Sequence, residues 1–132
     1  MIHLIDSDLT IDHLDDIQAA SSLLDALAGD GIAISIITYM EVLEGRLRAT
    51  DPVVAHAKFD AFLENVPIVP FSLDAARRCA LIREDLRRRS RRVRPRALDL
   101  ITAAIALEHD LTLVTRNSAD YDDIPGLKLY AW

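Results

Sequence analysis

The chain has 132 residues, of which 51% are apolar and 27% charged, and its formal net charge is -6. This composition suits one domain spanning residues 1–132 and argues against a uniformly basic, non-specific nucleic-acid binder. Apolar stretches are too short to span a bilayer, and the single cysteine, Cys79, has apolar neighbours at helical spacing. We therefore expect a cytoplasmic protein with no membrane association.

Short runs of Ile, Val and Leu alternate with longer segments of helical period along the chain. This alternation predicts the α/β class, with a parallel sheet covered by helices. We predict strands at residues 2–5, 32–37, 67–70, 111–115 and 127–130. We predict helices at residues 9–14, 16–28, 39–47, 52–65, 73–89 and 96–109, and a turn after residue 118.

The first predicted strand runs into two aspartates in the stretch "LIDSD". Asp8 can cap the helix predicted to start at Leu9, and we assign it that role. Asp6 would be the last residue of a buried strand, where an unpaired carboxylate is costly. We therefore interpret Asp6 as a functional residue.

Further acidic and polar residues follow the other strands, and each has a structural explanation when taken alone. Glu41 can complete a capping box with Thr38 as the N-cap, and Asp99 falls in the first turn of a helix. Asn117 and Asp120 lie in a turn that their residue types favour for conformational reasons.

The argument for a site rests on convergence at one edge of the predicted sheet. Asp6, Glu41, Asp99 and the turn at residues 117–120 all follow strands or begin helices, and these positions meet at the carboxyl edge of a parallel sheet. Carboxylates that share a buried pocket repel each other unless a cation neutralises them. Oxygen ligands select hard cations, so we expect Mg²⁺, for which Mn²⁺ can substitute.

Seven arginines lie in "RRRSRRVRPR", directly before Asp99. Such a run can be a solvated helix end, or it can contact the phosphates of RNA. Because the run leads into the helix of Asp99, we favour RNA and select Arg88, Arg91 and Arg94 as contacts.

The order of the segments "LIDSD", "ITYMEVLEG", "ALDLITAAIALEHDLTLVTRNSADY" and "IPGLKLYAW" resembles the PIN-domain family, specifically the VapC-type toxins of bacterial toxin-antitoxin modules. The resemblance covers essentially the whole chain. It implies that Asp6, Glu41 and Asp99 are metal-binding acids, with Asp6 and Asp99 as the central ligands. It also implies a fourth polar group after the fourth strand, for which Asn117 and Asp120 are candidates; we assign Asp120 as catalytic.

The same resemblance implies a three-layer α/β/α sandwich with a parallel sheet ordered 3-2-1-4-5. It further implies Mg²⁺-dependent cleavage of RNA and inhibition by a cognate antitoxin protein. We also expect a homodimer.

Two other functions remain open from the sequence. "LIDSDLTI" also resembles the first motif of haloacid-dehalogenase-type phosphatases, but no lysine followed by an acidic pair comes after the strand that ends at Thr115. The second alternative is a catalytically inactive PIN-like scaffold whose acids only cap helices.

Overall fold

A computed structural model describes residues 1–131, and within them five strands form one parallel sheet. The strands are β1 (His3–Ile5), β2 (Ile32–Ser35), β3 (Ile68–Val69), β4 (Thr112–Val114) and β5 (Lys128–Leu129). They lie in the order β3-β2-β1-β4-β5, and all neighbours are parallel. The predicted sheet order is confirmed. Because the order reverses between β1 and β4, the carboxyl ends of these two strands border a crevice.

The described residues also contain six α-helices, one for each predicted helical segment. They are α1 (Ser7–Leu14), α2 (Gln18–Ala28), α3 (Ile36–Leu47), α4 (Pro52–Leu63), α5 (Leu73–Arg88) and α6 (Ala97–Glu108). Short 3-10 helices occupy Arg94–Arg96 and Ser118–Asp120. No helix within residues 1–131 combines the length and apolar character needed to cross a membrane.

Two apolar cores lie on opposite faces of the sheet, because successive residues of a strand point to opposite sides. On β4, Leu113 joins the core formed with α5 and α6, whereas Val114 joins the core formed with α1, α2, α3 and α4. Leu4 and Ile5 of β1 divide in the same way. The fold is therefore the expected three-layer α/β/α sandwich.

Helix α1 begins at Ser7 rather than Leu9, and its N-cap is Asp6. The Asp6 carboxylate accepts the backbone N–H of Ser7 at 2.8 Å, and the Asp6 carbonyl accepts the N–H of Thr10 at 3.2 Å. Asp8 is an exposed residue of the first turn, so the prediction that Asp8 is the N-cap is wrong. Helical geometry starts immediately after β1, which gives the capping position to Asp6.

Helix α3 begins at Ile36, inside the second predicted strand, and its N-cap is Ser35. The Ser35 hydroxyl oxygen accepts the backbone N–H of Thr38 at 3.1 Å. Thr38 therefore lies within the helix, and the predicted capping box of Thr38 and Glu41 is wrong. The β-branched residues Ile36 and Ile37 favour a strand locally, but the cap and the surrounding packing override this preference.

Replacing Ser35 by alanine should lower the free energy of unfolding by about 1 kcal/mol, because the N–H of Thr38 loses its buried acceptor. Urea denaturation followed by circular dichroism measures this change. Ser22→Ala, which removes the same atom from an exposed position of α2, should change stability by less than about 0.5 kcal/mol. Equal unfolding midpoints for the two variants would contradict the assigned cap.

Candidate active site

Asp6 is the best anchored acid at the carboxyl edge of the sheet. Its backbone N–H donates to the carbonyl of Val114 at 3.0 Å, which extends the pairing of β1 with β4. Its two carboxylate oxygens accept the N–H of Ser7 at 2.8 Å and the hydroxyl of Thr115 at 2.7 Å. Each oxygen retains a further lone pair for another ligand. Asp6 is thus held by α1 and β4 together while it can still bind a cation.

Glu41, in α3, is oriented by the buried side chain of Ser7. The Ser7 hydroxyl donates to the Oε1 atom of Glu41 at 2.6 Å, and it lies 3.4 Å from the hydroxyl of Thr38. This contact joins α1 to α3 and places Glu41 beside the end of β1. The Oε2 atom of Glu41 is left for water or an ion.

Asp99 lies in the first turn of α6, where the helix dipole favours a negative charge. The hydroxyl of Tyr121 donates a hydrogen bond to it, and Tyr121 itself is only 2% exposed. The nearby Asp120 is exposed, and its charge contributes to raising the pKa of Asp99. The turn after β4 therefore supplies a hydrogen-bond donor and a carboxylate next to Asp99.

The pKa values of Asp6, Glu41 and Asp99 all lie above the ordinary carboxylate range. Burial is the largest cause for each of them. Repulsion adds to burial: the charge of Asp99 raises the pKa of Asp6, and the charges of Asp6 and Asp99 raise the pKa of Glu41. Asp8 raises all three values. The structure thus brings together the three acids that the sequence singled out, and it adds Asp8 to their surroundings.

The two candidates for a fourth polar group are placed differently. Asn117 is exposed, and its backbone N–H donates to the hydroxyl oxygen of Thr115 at 3.1 Å. Asp120 affects the pKa of Asp99 by its charge. Asp120 also lines the same cleft as Asp99, and its assignment as the fourth group stays a prediction.

The arginines chosen as RNA contacts do not share one environment. Arg88 is 77% exposed at the end of α5 and forms an ion pair with Glu84 at 3.2 Å. Arg91 lines a cleft together with Asp99, and Arg94 lines a second cleft in which Asp99 also takes part. The run therefore divides into a helix end that is paired with acids and a loop that borders the acidic site.

The donor chemistry of this edge fits a hard divalent cation. All the candidate ligands are oxygens, and none of the ion pairs among residues 1–131 involves Asp6, Glu41 or Asp99. Over the same residues, no three side chains of His, Cys, Asp or Glu form a ready-made metal cage. This arrangement suits Mg²⁺, which usually binds through one or two carboxylates and keeps several water molecules.

The sequence did not reveal how the acids are held. Ser7 lies two residues after the end of β1 and Thr115 directly follows β4, so their position near strand ends is a signal that can be recognised. The hydrogen bond of Tyr121 to Asp99 has no local signal, because the two residues are distant in the chain and meet only through the fold.

Comparison with known proteins places the chain in a family. A model described as "PIN domain" matches residues 4–127. The chain belongs to the PIN domain family. This membership removes the haloacid-dehalogenase alternative.

Within the family the chain is of the VapC type. It is 28% identical over 101 residues to a protein of Shigella flexneri named "tRNA(fMet)-specific endonuclease VapC", a match that covers 76% of this chain and 75% of that protein. The VapBC2 crystal structure from Rickettsia felis, bound to a promoter DNA fragment, has a chain with a TM-score of 0.88 and 26% identity, covering 100% of this chain and 99% of that chain. A toxin-antitoxin complex from Klebsiella pneumoniae has a chain with a TM-score of 0.75 and 30% identity, covering 95% and 94% of the two chains.

The buried acids predict an unusual dependence of stability on pH. Because burial raises the pKa of Asp6 in the folded protein, the folded state binds this proton more tightly than the unfolded chain. Stability should therefore fall as the pH rises from the ordinary carboxylate range through the raised pKa. In buffer with a chelator, Asp6→Asn should melt a few degrees above wild type near about pH 7, and the difference should vanish near about pH 4.

Thermal melting over a pH series makes this measurement. Asp25→Asn removes a charge from an exposed position on α2 and serves as the control. A wild-type protein that is at least as stable as Asp6→Asn at neutral pH without metal would contradict the unfavourable burial of Asp6.

Proposed function

We propose that this protein is the Mg²⁺-dependent endoribonuclease toxin of a VapBC-type module, and that it cleaves structured RNA in the cytoplasm. The observation that carries the proposal is the group of partly buried, mutually repelling carboxylates of Asp6, Glu41 and Asp99 at the carboxyl edge of a PIN-domain sheet. The proposal includes a cognate antitoxin as its protein partner and a homodimeric state.

The relatives support the class of reaction and of partner. The similar proteins of Shigella flexneri and Salmonella typhimurium are named as tRNA(fMet)-specific endonucleases. The similar solved chains come from VapBC or other toxin-antitoxin complexes. An RNA substrate and an antitoxin partner are therefore the natural assignments for this chain.

In the proposed reaction the side chains hold an ion and orient water at the phosphodiester. Asp6 and Asp99 would be the main ligands of the ion, and Mg²⁺, when bound, would supply Lewis-acid stabilisation of charge on the phosphate oxygens. Glu41, whose pKa is raised chiefly by burial, accepts a proton from the attacking water at its Oε2 atom. Asp120, on the exposed rim, completes the set of acids.

The scaffold alternative explains the acids less well. A scaffold gains nothing from burying several carboxylates whose pKa values are raised, since each one disfavours folding at neutral pH. Capping accounts for Asp6 but not for Glu41, which is not an N-cap. A bound cation would remove this cost for all of the acids at once.

Changing Asp6 and Asp99 together to asparagine should abolish both metal binding and RNA cleavage, because the two central ligands lose their charge. Calorimetry with Mn²⁺ should show weak binding to wild type and no binding heat for the double variant. Cleavage of a transcribed tRNA(fMet) should fall to the level of the wild-type protein in chelator.

The control is Asp25→Asn, which removes a carboxylate from the exposed face of α2 and should change neither measurement. A folded Asp6→Asn and Asp99→Asn protein that still cleaved the tRNA would rule out the metal-nuclease mechanism. Equal Mn²⁺ binding by both proteins would show that the site is wrongly placed.

The loop arginines are proposed to hold RNA by its phosphates. Arg91 and Arg94 are exposed and line two clefts that both include Asp99. RNA bound across these clefts would pass over the acids, so the arginines fix the position of the strand rather than its chemistry. Arg88 would extend this contact only if the RNA also reaches the end of α5.

Replacing Arg91 and Arg94 by glutamine should weaken RNA binding and lower the salt dependence by about one ion for each lost phosphate contact. Binding is measured over a salt series in the catalytically inactive Asp6→Asn background. A separate Arg88→Gln variant tests whether the RNA reaches α5. Arg77→Gln removes an exposed arginine that pairs with Asp74, and parallel salt slopes for this control and the double variant would refute the assignment.

A further inference from the structure

Arg96 differs from the rest of the arginine run because its side chain is largely buried and both of its terminal nitrogens, Nη1 and Nη2, are hydrogen-bonded within the protein, whereas its buried Nε atom has no partner among residues 1–131. Its guanidinium group forms a bidentate ion pair with Asp123, with Nη1–Oδ2 and Nη2–Oδ1 distances of 3.0 and 2.7 Å. The side chains of Arg96 and Asp123 are only 15% and 14% exposed. A paired contact of this geometry fixes both distance and orientation.

Arg96 also binds main-chain oxygens on both sides of the acidic cleft. Its Nη2 atom donates to the carbonyl of Asp120 at 2.6 Å, and its Nη1 atom donates to the carbonyl of Arg92 at 3.2 Å. Arg89 adds a bond to the carbonyl of Asp123 at 2.7 Å. These hydrogen bonds and the ion pair therefore connect the turn after β4 to the segment that leads into α6.

The turn after β4 and the start of α6 contain the residues that surround Asp99. Arg96 is the N-cap residue of α6, and Asp99 lies in the first turn of this helix. The turn contains Asp120, whose charge acts on Asp99, and Tyr121, whose hydroxyl donates to Asp99. If the turn moved away from α6, Asp99 would lose this donor and its neighbouring carboxylate together.

We propose that Arg96 and Asp123 form a clamp that positions Asp99, Asp120 and Tyr121 for binding of the divalent cation. Arg96 is then a positioning residue and not an RNA contact, because its Nη1 and Nη2 atoms are hydrogen-bonded within the protein and its Nε atom is buried. This inference rests on the proposed function, since it assigns a role at the same metal site.

Electrostatics and positioning predict opposite effects of removing Arg96 on metal affinity. Arg96 is a positive charge near Asp99, and it lowers the pKa of that carboxylate. If only its charge mattered, Arg96→Gln would make the site more negative and bind Mn²⁺ more tightly. If the clamp positions the ligands, the same change should weaken Mn²⁺ binding by about tenfold or more, as is typical for residues that orient metal ligands.

The experiment measures the Mn²⁺ dissociation constant by calorimetry for wild type, Arg96→Gln and Arg92→Gln. Arg92 lines the same cleft, and its side chain takes no part in the clamp, so Arg92→Gln should bind Mn²⁺ as tightly as wild type or more tightly. Hydrogen exchange provides a measurement independent of metal: amides of residues 118–124 should exchange faster in Arg96→Gln, while those of the sheet stay protected.

Arg96→Lys retains the positive charge but cannot form the bidentate ion pair. This variant replaces Arg96→Gln in the experiment if Arg96→Gln does not fold. It should also weaken Mn²⁺ binding and accelerate exchange at residues 118–124. If wild type binds Mn²⁺ and a folded Arg96 variant binds it equally well or more tightly, the clamp is refuted. The proposed metal site would stand in that case. A wild-type protein that binds no Mn²⁺ would refute the proposed metal site and the clamp's role with it.

Discussion

Partial burial of the carboxylates of Asp6, Glu41 and Asp99, to which their mutual repulsion adds, is the constraint on which the rest of this edge depends. The acids come from β1, α3 and α6, and the reversal of strand order between β1 and β4 brings these elements to one crevice. Burial raises their pKa values, so the ionised site disfavours folding. The hydroxyl groups that donate to the acids offset part of this cost. In the proposed function a bound cation would offset the remainder.

Most of the architecture could be predicted from the sequence because it follows from hydrophobic pattern. Each short Ile, Val and Leu run is a strand, and the acids that follow strands meet at one edge, as the parallel arrangement requires. The N-caps of α1 and α3 were predicted at the wrong residues, because the predicted helices began too late in the chain. Asp6 rather than Asp8, and Ser35 rather than Thr38, became the caps, since the chain becomes helical directly after each strand. Local residue preference does not determine where that change occurs.

The contacts that hold the site could not be predicted from the sequence, because they join residues that are distant in the chain. The Arg96–Asp123 pair and the bond of Tyr121 to Asp99 join segments that are separated by the whole of α6 and β4. In the sequence, Arg96 is one member of a basic run. In the structure, the run is divided between ion pairs on α5, exposed positions beside the acids and one buried clamp. Composition detects such a run, but only tertiary packing shows which of its members are available to a ligand.

The different environments of the arginines are relevant to how an acidic site could bind RNA, which is a polyanion. RNA phosphates and the partly buried carboxylates repel each other. An RNA strand can therefore approach the acids only if positive charge is present both at the rim of the site and at its centre. In the proposed function Arg91 and Arg94 would provide that charge at the rim, where they are exposed and line clefts that include Asp99. In the proposed function a divalent ion would provide it at the centre, where no Lys, Arg or His of residues 1–131 forms an ion pair with Asp6, Glu41 or Asp99. In the proposed function, RNA binding and neutralisation of the partly buried acids would therefore both depend on a bound cation.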